Sequence, residues 1–253
     1  MTYCVAIKLN AGLVFLSDSR TNAGVDQIST YSKMHTFGLE SARQFCLLTS
    51  GNLATAQGIV AQIRHDIDHG MPLSLMTLSS MDEAADYIGQ LSVMQQKKAG
   101  GGIDFEASVL FGGQILGSAP DVFLIYPQGN HIATSRTTPF LQIGESKYGK
   151  PILDRILKPD TALHTAVLCG LVSMDSTMRS NVTVGPPIEV LAYKTDSLEM
   201  HNRLILEEDS DYLRELKRNW DERLKDAFRS LPPPAWATMW DQADREAAAQ
   251  QQR

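Results

Sequence analysis

A threonine follows the initial methionine of this chain. Methionine aminopeptidases remove Met1 when the next residue is small, and the product would carry a hydroxyl and a free α-amine on one residue, Thr2. An α-amine has a reference pKa of about 7.7–8.0, so near neutrality it can act as general base for its own hydroxyl without a histidine. Taken alone, Thr2 is no more than a permissive second residue. Asp18 and Lys33 alter that reading. Asp18 ends the second of two short apolar runs, where a hairpin returns the chain beside Thr2, and Lys33 begins the next run. A lysine there would favour the alkoxide and keep the α-amine neutral, and a carboxylate would hold that lysine charged and oriented. As isolated residues, the two read equally well as a strand-edge carboxylate and a solvated loop lysine. Ser50-Gly51 closes a later apolar run directly before a helical stretch. Backbone N–H groups at such a junction can face a carbonyl oxygen, and glycine permits close approach, although a structural turn explains the pair equally well.

Periodicity supplies the elements that must position these residues. Residues 3–9 and 13–18 read as strands around the turn Asn10-Ala11-Gly12, and residues 33–39 and 45–50 read as a second pair. Helical spacing follows in Leu53, Ala56, Ile59, Val60, Ile63 and Ile67, up to His69-Gly70. A second helix is expected after Pro72, ending at Lys97-Lys98-Ala99-Gly100. Strands resume over 105–111, 122–126 and 139–143, with Gly112-Gly113 and Gln128-Gly129-Asn130 as turns. Helices over 148–157 and 160–174 follow, then a strand over 188–193 with Glu189 between apolar neighbours. Hairpins, two helices, strands, two helices and a strand make an α+β chain. The pattern predicts two antiparallel sheets packed face to face and covered outside by helices, a four-layer αββα sandwich over residues 1–195. A dinucleotide-binding α/β fold is excluded, because no GxGxxG follows the first strand.

Residues 196–253 read as a C-terminal extension. Leu213, Leu216, Trp220, Leu224 and Phe228 line one face of a charged amphipathic helix that Pro232-Pro233-Pro234 stops. Trp236 and Trp240 follow, then a polar tail expected to be disordered. The helix either docks on its own domain or packs on a neighbouring subunit, since exposed tryptophans are costly to leave in water.

A net charge of −6 and the absence of any basic run argue against nucleic acid as a partner. Cys4, Cys46 and Cys169 each lie in an apolar stretch without CxxC spacing, the pattern of reduced, buried thiols in a cytoplasmic protein. The histidines show no HExxH or other ligand spacing; His65 and His69 are four apart on a helix without an evident third ligand. No metal or cofactor is implied. No signal peptide is read at the N-terminus, and no apolar run is long enough for a membrane span.

Thr2, Asp18-Ser19-Arg20, Lys33, Thr49-Ser50-Gly51, Gly144-Glu145-Ser146 and Met174-Asp175-Ser176-Thr177 occur in an order and spacing that resembles proteasome beta subunits and the bacterial peptidase HslV. The resemblance covers about residues 2–195 and is greatest to Anbu, the ancestral-type beta-subunit branch. The stretches that carry it are Met1-Thr2-Tyr3-Cys4-Val5, Leu16-Ser17-Asp18-Ser19-Arg20-Thr21 and Gly144-Glu145-Ser146-Lys147-Tyr148-Gly149-Lys150-Pro151, together with the long extension. It implies the N-terminal nucleophile hydrolase fold and a threonine-type peptidase. Thr2 would be the nucleophile, Asp18 and Lys33 its charged support, Gly51 the oxyanion-hole amide, and Asp175 the acidic residue organising the amine end. Pocket residues that set cleavage preference would lie between Arg20 and Lys33 and near Gly51. The implied substrate is a peptide or unfolded protein, and the implied assembly is a homo-oligomer, ring or open helix, that encloses the sites. An ATP-dependent unfoldase partner follows only by analogy with HslV.

Two positions depart from that family. Glu145 stands where proteasome subunits have serine, and Met178 stands where they have a second one, three residues past the acidic residue. Ser146, Ser176 or Thr177 would have to substitute, and altered or weak activity is the expectation. The rival readings are an amide hydrolase for a small metabolite on the same fold, and a non-catalytic, assembly-forming scaffold.

Overall fold

A computed structural model describes residues 1–22, 28–234, 236–237 and 240. Its elements in chain order are strands β1 (Tyr3–Leu9), β2 (Gly12–Asp18), β3 (Arg20–Asn22), β4 (Ile28–Thr30), β5 (Met34–Leu39) and β6 (Arg43–Gly51), then helices α1 (Leu53–Asp68) and α2 (Met81–Lys98). Strands β7 (Ala107–Ile115), β8 (Asp121–Ile125), β9 (His131–Ala133) and β10 (Phe140–Gly144) follow, then helices α3 (Lys150–Ile156) and α4 (Leu163–Ser180). Strands β11 (Ile188–Lys194) and β12 (Asn202–Leu206) and helix α5 (Asp211–Arg229) complete the order.

Two five-stranded antiparallel sheets hold most of the strands, one ordered β10-β1-β2-β11-β12 and the other β5-β6-β7-β8-β9. The β1–β2 hairpin lies at the centre of the first, with Cys4 opposite Ser17 and Leu9 opposite Gly12. Central strands meet packing on both faces, so their sequences are nearly continuous in apolar residues rather than alternating. Every residue of β2 is buried, and β1 leaves only Lys8 partly exposed. Cys4, Ala6, Phe15, Cys46, Leu48 and Leu110 belong to the core that joins the inner faces of the two sheets. On the far side of the second sheet, Leu47, Phe111 and Ile125 pack with Ile59 and Ile63 of α1 and Ile88 of α2. Helix α4 packs on β1, β2 and β11, and α3 packs on α4.

Several local expectations are corrected. Helix α2 starts at Met81 rather than just after Pro72. The Ser80 hydroxyl accepts from the Glu83 N–H at 3.1 Å, while the Glu83 carboxylate accepts from the Ser79 N–H at 2.9 Å, a reciprocal cap that fixes the start. Helix α4 continues past Met174 to Ser180. Gly112-Gly113 is not a turn but part of β7, opposite Cys46 and Phe45 of β6. A Cβ on Gly112 would lie 2.9 Å from the Asp121 carbonyl oxygen and 3.0 Å from Cζ of Phe15. The glycine therefore lets the phenyl ring of one sheet reach the backbone of the other. Gly112→Ala is expected to cost about 1–3 kcal/mol through overpacking, read as a lower urea midpoint with unchanged slope.

Cys4, Cys46 and Cys169 are buried free thiols, and burial pushes all three up, Cys169 to about 11. Among the described residues no helix is long and apolar enough to cross a membrane.

The chain divides into two compact units, Met1–Leu213 and Arg214–Arg253, so the first sheet's outer strand β12 belongs to the first unit. In the second unit Leu224 and Phe228 are exposed along α5, and the rings of Trp236 and Trp240 pack 4.6 Å apart. The polar tail beyond 240 lies outside the described residues.

Candidate active site

Hairpin geometry brings the end of β2 back beside the start of β1. Tyr3, the residue after Thr2, donates its backbone N–H to Oδ1 of Asp18 at 3.0 Å. The same oxygen accepts the Lys33 ammonium at 2.7 Å, and Lys33 also donates to the Arg20 carbonyl at 2.7 Å. One carboxylate oxygen thus ties Lys33 to the peptide that joins Thr2 and Tyr3. Asp18 is fully buried and Lys33 nearly so. Burial pushes the Asp18 carboxyl up, and the Lys33 charge and the N–H groups of Tyr3 and Gly185 oppose that push. The remaining oxygen, Oδ2, accepts from the Gly185 N–H at 3.3 Å. Burial without such partners would leave neither charge tolerable.

Two backbone contacts complete the surround. The Thr49 N–H donates to the Lys33 carbonyl at 3.1 Å, so the corner Ser50-Gly51 directly follows a link to Lys33. Gly51 has φ +100°, and a Cβ there would drive into the Glu106 carbonyl, so the corner requires glycine. Asn52 then caps α1, its side chain accepting from the Thr55 N–H at 3.0 Å. On the opposite side, the Glu145 N–H donates to the Thr2 carbonyl at 2.7 Å. Gly144, paired with Tyr3, has φ +80°, and any Cβ would collide with the Thr2 carbonyl oxygen. Gly144→Ala is expected to displace the Thr2 backbone and to cost about 1–3 kcal/mol of stability. Chemical denaturation measures the cost, and a crystal structure of the variant measures the displacement.

Ser146 is half-buried directly after Glu145, at the turn into α3. Asp175 lies on α4, buried, with Arg179 Nε 3.6 Å from its Oδ2. The ammonium of Lys33 is therefore taken by Asp18 and the Arg20 carbonyl, while Asp175 pairs one helical turn further along α4. Thr177 is buried and donates its hydroxyl to the Ser173 carbonyl at 2.9 Å, so that hydroxyl is committed within its own helix. Ser176 is partly exposed on the same helix.

A cavity of about 370 Å³ opens between β5, β6 and the first turns of α1. Tyr31 and Ser32, which precede Lys33, and Thr49, which precedes the Ser50-Gly51 corner, line it together with His35, Leu53 and Arg64. It adjoins both ends of the site. Of the segment between Arg20 and Lys33, Tyr31 and Ser32 line this cavity, whereas residues 23–27 lie outside the described residues.

Neither a family model nor a curated protein matches the chain. Solved structures do. Anbu (ancestral beta-subunit) from Yersinia bercovieri is 45% identical over 91% of this chain and 98% of its own, with a TM-score of 0.88. The Anbu (Gly-1) mutant from Hyphomicrobium sp. strain MC1 is 40% identical over 92% of this chain and 99% of its own, again at 0.88. Anbu from Pseudomonas aeruginosa, solved as a helical assembly, is 44% identical over 93% of this chain and 99% of its own, at 0.88. The chain belongs to the Anbu family.

For an Anbu chain, three features of this site were not readable from residue types. Glu145 stands at one of the departures from the proteasome pattern; it is buried, and its carboxylate accepts from the Lys147 N–H at 3.3 Å and from the Asn181 amide at 3.2 Å. Asn181 caps the C-terminus of α4, so Glu145, whose N–H holds the Thr2 carbonyl, links that helix end to Thr2. Glu189, flanked by apolar residues, is ion-paired with Arg203 of β12 and accepts from the Ser19 hydroxyl at 3.2 Å. Arg64 enters the pocket wall from α1, beyond the expected pocket segments. The Asn181 and Arg203 pairings have no local signal, because each depends on an element packed from elsewhere in the chain.

Proposed function

We propose that this Anbu chain is a threonine-type peptidase acting through Thr2 as its N-terminal residue once Met1 has been removed. The observation that carries the proposal is the single Asp18 oxygen that binds both the Lys33 ammonium and the Thr2–Tyr3 peptide. A buried lysine so placed lowers the energy of an alkoxide at Thr2 and favours a neutral α-amine beside it. The Thr2 hydroxyl then attacks the scissile carbonyl carbon, and its proton passes to the α-amine. The amide of Gly51 stabilises the oxyanion, and the leaving amine departs with that proton to leave an ester on Thr2. Water, deprotonated by the same α-amine, cleaves the ester and releases the carboxylic acid. Ser146 and Asp175 are proposed to organise the amine end of this arrangement.

The two packed sheets with helices outside support the reading of residues 1–195 as an N-terminal nucleophile hydrolase sandwich of four layers. A homo-oligomer is proposed on the strength of the helical assembly of the Pseudomonas relative and the apolar face of α5. The proposed substrate is a peptide or unfolded protein, in the cytoplasm.

Mass spectrometry after incubation with a peptide epoxyketone tests the proposal. The expected result is a one-to-one adduct on the N-terminal peptide of a chain that lacks Met1. A processed chain that stays unlabelled would overturn the peptidase reading and favour the scaffold. Hydrolysis of small amides but not of peptides would favour the metabolite amidase.

A further inference from the structure

The pocket beside Lys33 and Gly51 has a charge asymmetry that its position in the site makes consequential. Among the described residues that line it, Arg64 is the one arginine or lysine, and none is a carboxylate. His35, also in the wall, is held to about 4 by burial, with the Arg64 charge adding to the effect, so it is neutral at pH 7. The acidic groups nearby on the same elements are turned elsewhere. Asp66 of α1 accepts from the Tyr87 hydroxyl at 2.6 Å and from the Gln62 amide at 2.8 Å. Asp68 of α1, and Asp104 and Glu106 on the turn against the start of α1, are not part of the lining. Lys33, outside the lining, is ion-paired with Asp18 and donates to the Arg20 carbonyl. The cavity walls include Leu53, Ala56 and Val60, which offer apolar contact to methylene groups below a charged end.

We propose that this pocket receives an acidic side chain of the substrate next to the scissile bond, and that Arg64 is the residue that selects it. The inference rests on the peptidase reading of Thr2 and adds a substrate class to it: peptides with glutamate or aspartate at that position. Arg64 acts by charge complementarity and by the hydrogen bonds of its guanidinium to a carboxylate, so an uncharged substrate loses an attraction and a basic one meets repulsion.

Three peptide epoxyketones that differ only in the residue entering the pocket, glutamate, leucine or lysine, provide the test on the full chain. The rate of adduct formation at Thr2 is followed by intact mass. Glutamate is expected to react about tenfold faster than leucine, the scale of one partly solvated ion pair, and lysine slowest of all. Arg64→Ala should bring the glutamate and leucine rates together, and Arg64→Glu should reverse the order of glutamate and lysine. Arg64 is exposed on the surface of α1, so both variants should keep the wild-type denaturation midpoint. Adducts that form at Thr2 with leucine as fast as with glutamate would overturn the selectivity and leave the nucleophile intact. A glutamate-to-lysine ratio unaltered in Arg64→Glu would do the same. No adduct with any of the three probes would overturn the nucleophile reading, and the selectivity with it.

Discussion

Thr2→Ala is expected to remove the epoxyketone adduct altogether and to lower any peptide hydrolysis by at least about a thousandfold, the scale seen when a nucleophile is deleted. Alanine is also small enough for Met1 removal, so the variant keeps the free α-amine and loses only the hydroxyl. The residue is half-buried and its carbonyl is held by the Glu145 N–H, a bond that a side-chain change leaves in place. Stability should therefore move by less than about 0.5 kcal/mol. Thr2→Ser keeps the hydroxyl and should still be labelled. If Thr2→Ala is labelled as fast as the parent, the reactive group lies elsewhere, and the Asp18–Lys33 pair has a purely structural task. If Thr2→Ala is silent and Thr2→Ser reacts, the hydroxyl itself is the nucleophile, since the amine and the fold are common to both.

Much of the arrangement of this candidate site was legible in the residues because it depends on local geometry. A seven-residue apolar strand, a short turn and a second apolar strand leave little freedom in where Asp18 ends up relative to the N-terminus. Gly51 was legible for the same reason, as a glycine between a strand end and a helix cap. The partners of Asp18 were harder. The Gly185 N–H reaches it from 167 residues away, and no periodicity announces a backbone donor. Strand β12 was missed because Asn202 and Arg203 are polar and exposed, as the outer strand of a sheet allows. Its absence from the reading hid the partner of Glu189, the carboxylate between apolar neighbours. Gly112-Gly113 misled in the opposite direction. A glycine pair signals a turn when only backbone freedom is considered, whereas here the missing side chains make room for Phe15. The start of α2 failed because Leu75 and Leu78 keep helical spacing with Met81 while belonging to a turn held by Ser74 and Thr77. Both leucines are buried, so hydrophobic periodicity reported burial correctly and conformation wrongly.

Asp18→Ala is expected to cost about 3–5 kcal/mol of stability, because it strands the Lys33 ammonium in the interior with only the Arg20 carbonyl to receive it. The N–H groups of Tyr3 and Gly185 lose their acceptor at the same time. Asp18→Asn should fare little better. Its amide offers one acceptor oxygen where three donors converge, so its NH2 group must face a donor whichever way it is turned. Both variants should lose adduct formation at Thr2 by two to three orders of magnitude, on the order of what removal of a preorganised electrostatic group costs. Stability loss and activity loss are separable through the paired variant Asp18→Ala/Lys33→Met. Removing both charges and refilling the space with an unbranched apolar chain should recover about 1–4 kcal/mol relative to Asp18→Ala. Reactivity should not return, because the Lys33 ammonium is then gone. Urea denaturation of the three variants measures the first quantity and the epoxyketone rate measures the second. A paired variant that regains both stability and labelling would mean that the pair only holds the hairpin end in shape. One that regains stability alone would assign Lys33 the electrostatic work at Thr2, with Asp18 keeping it charged and aimed.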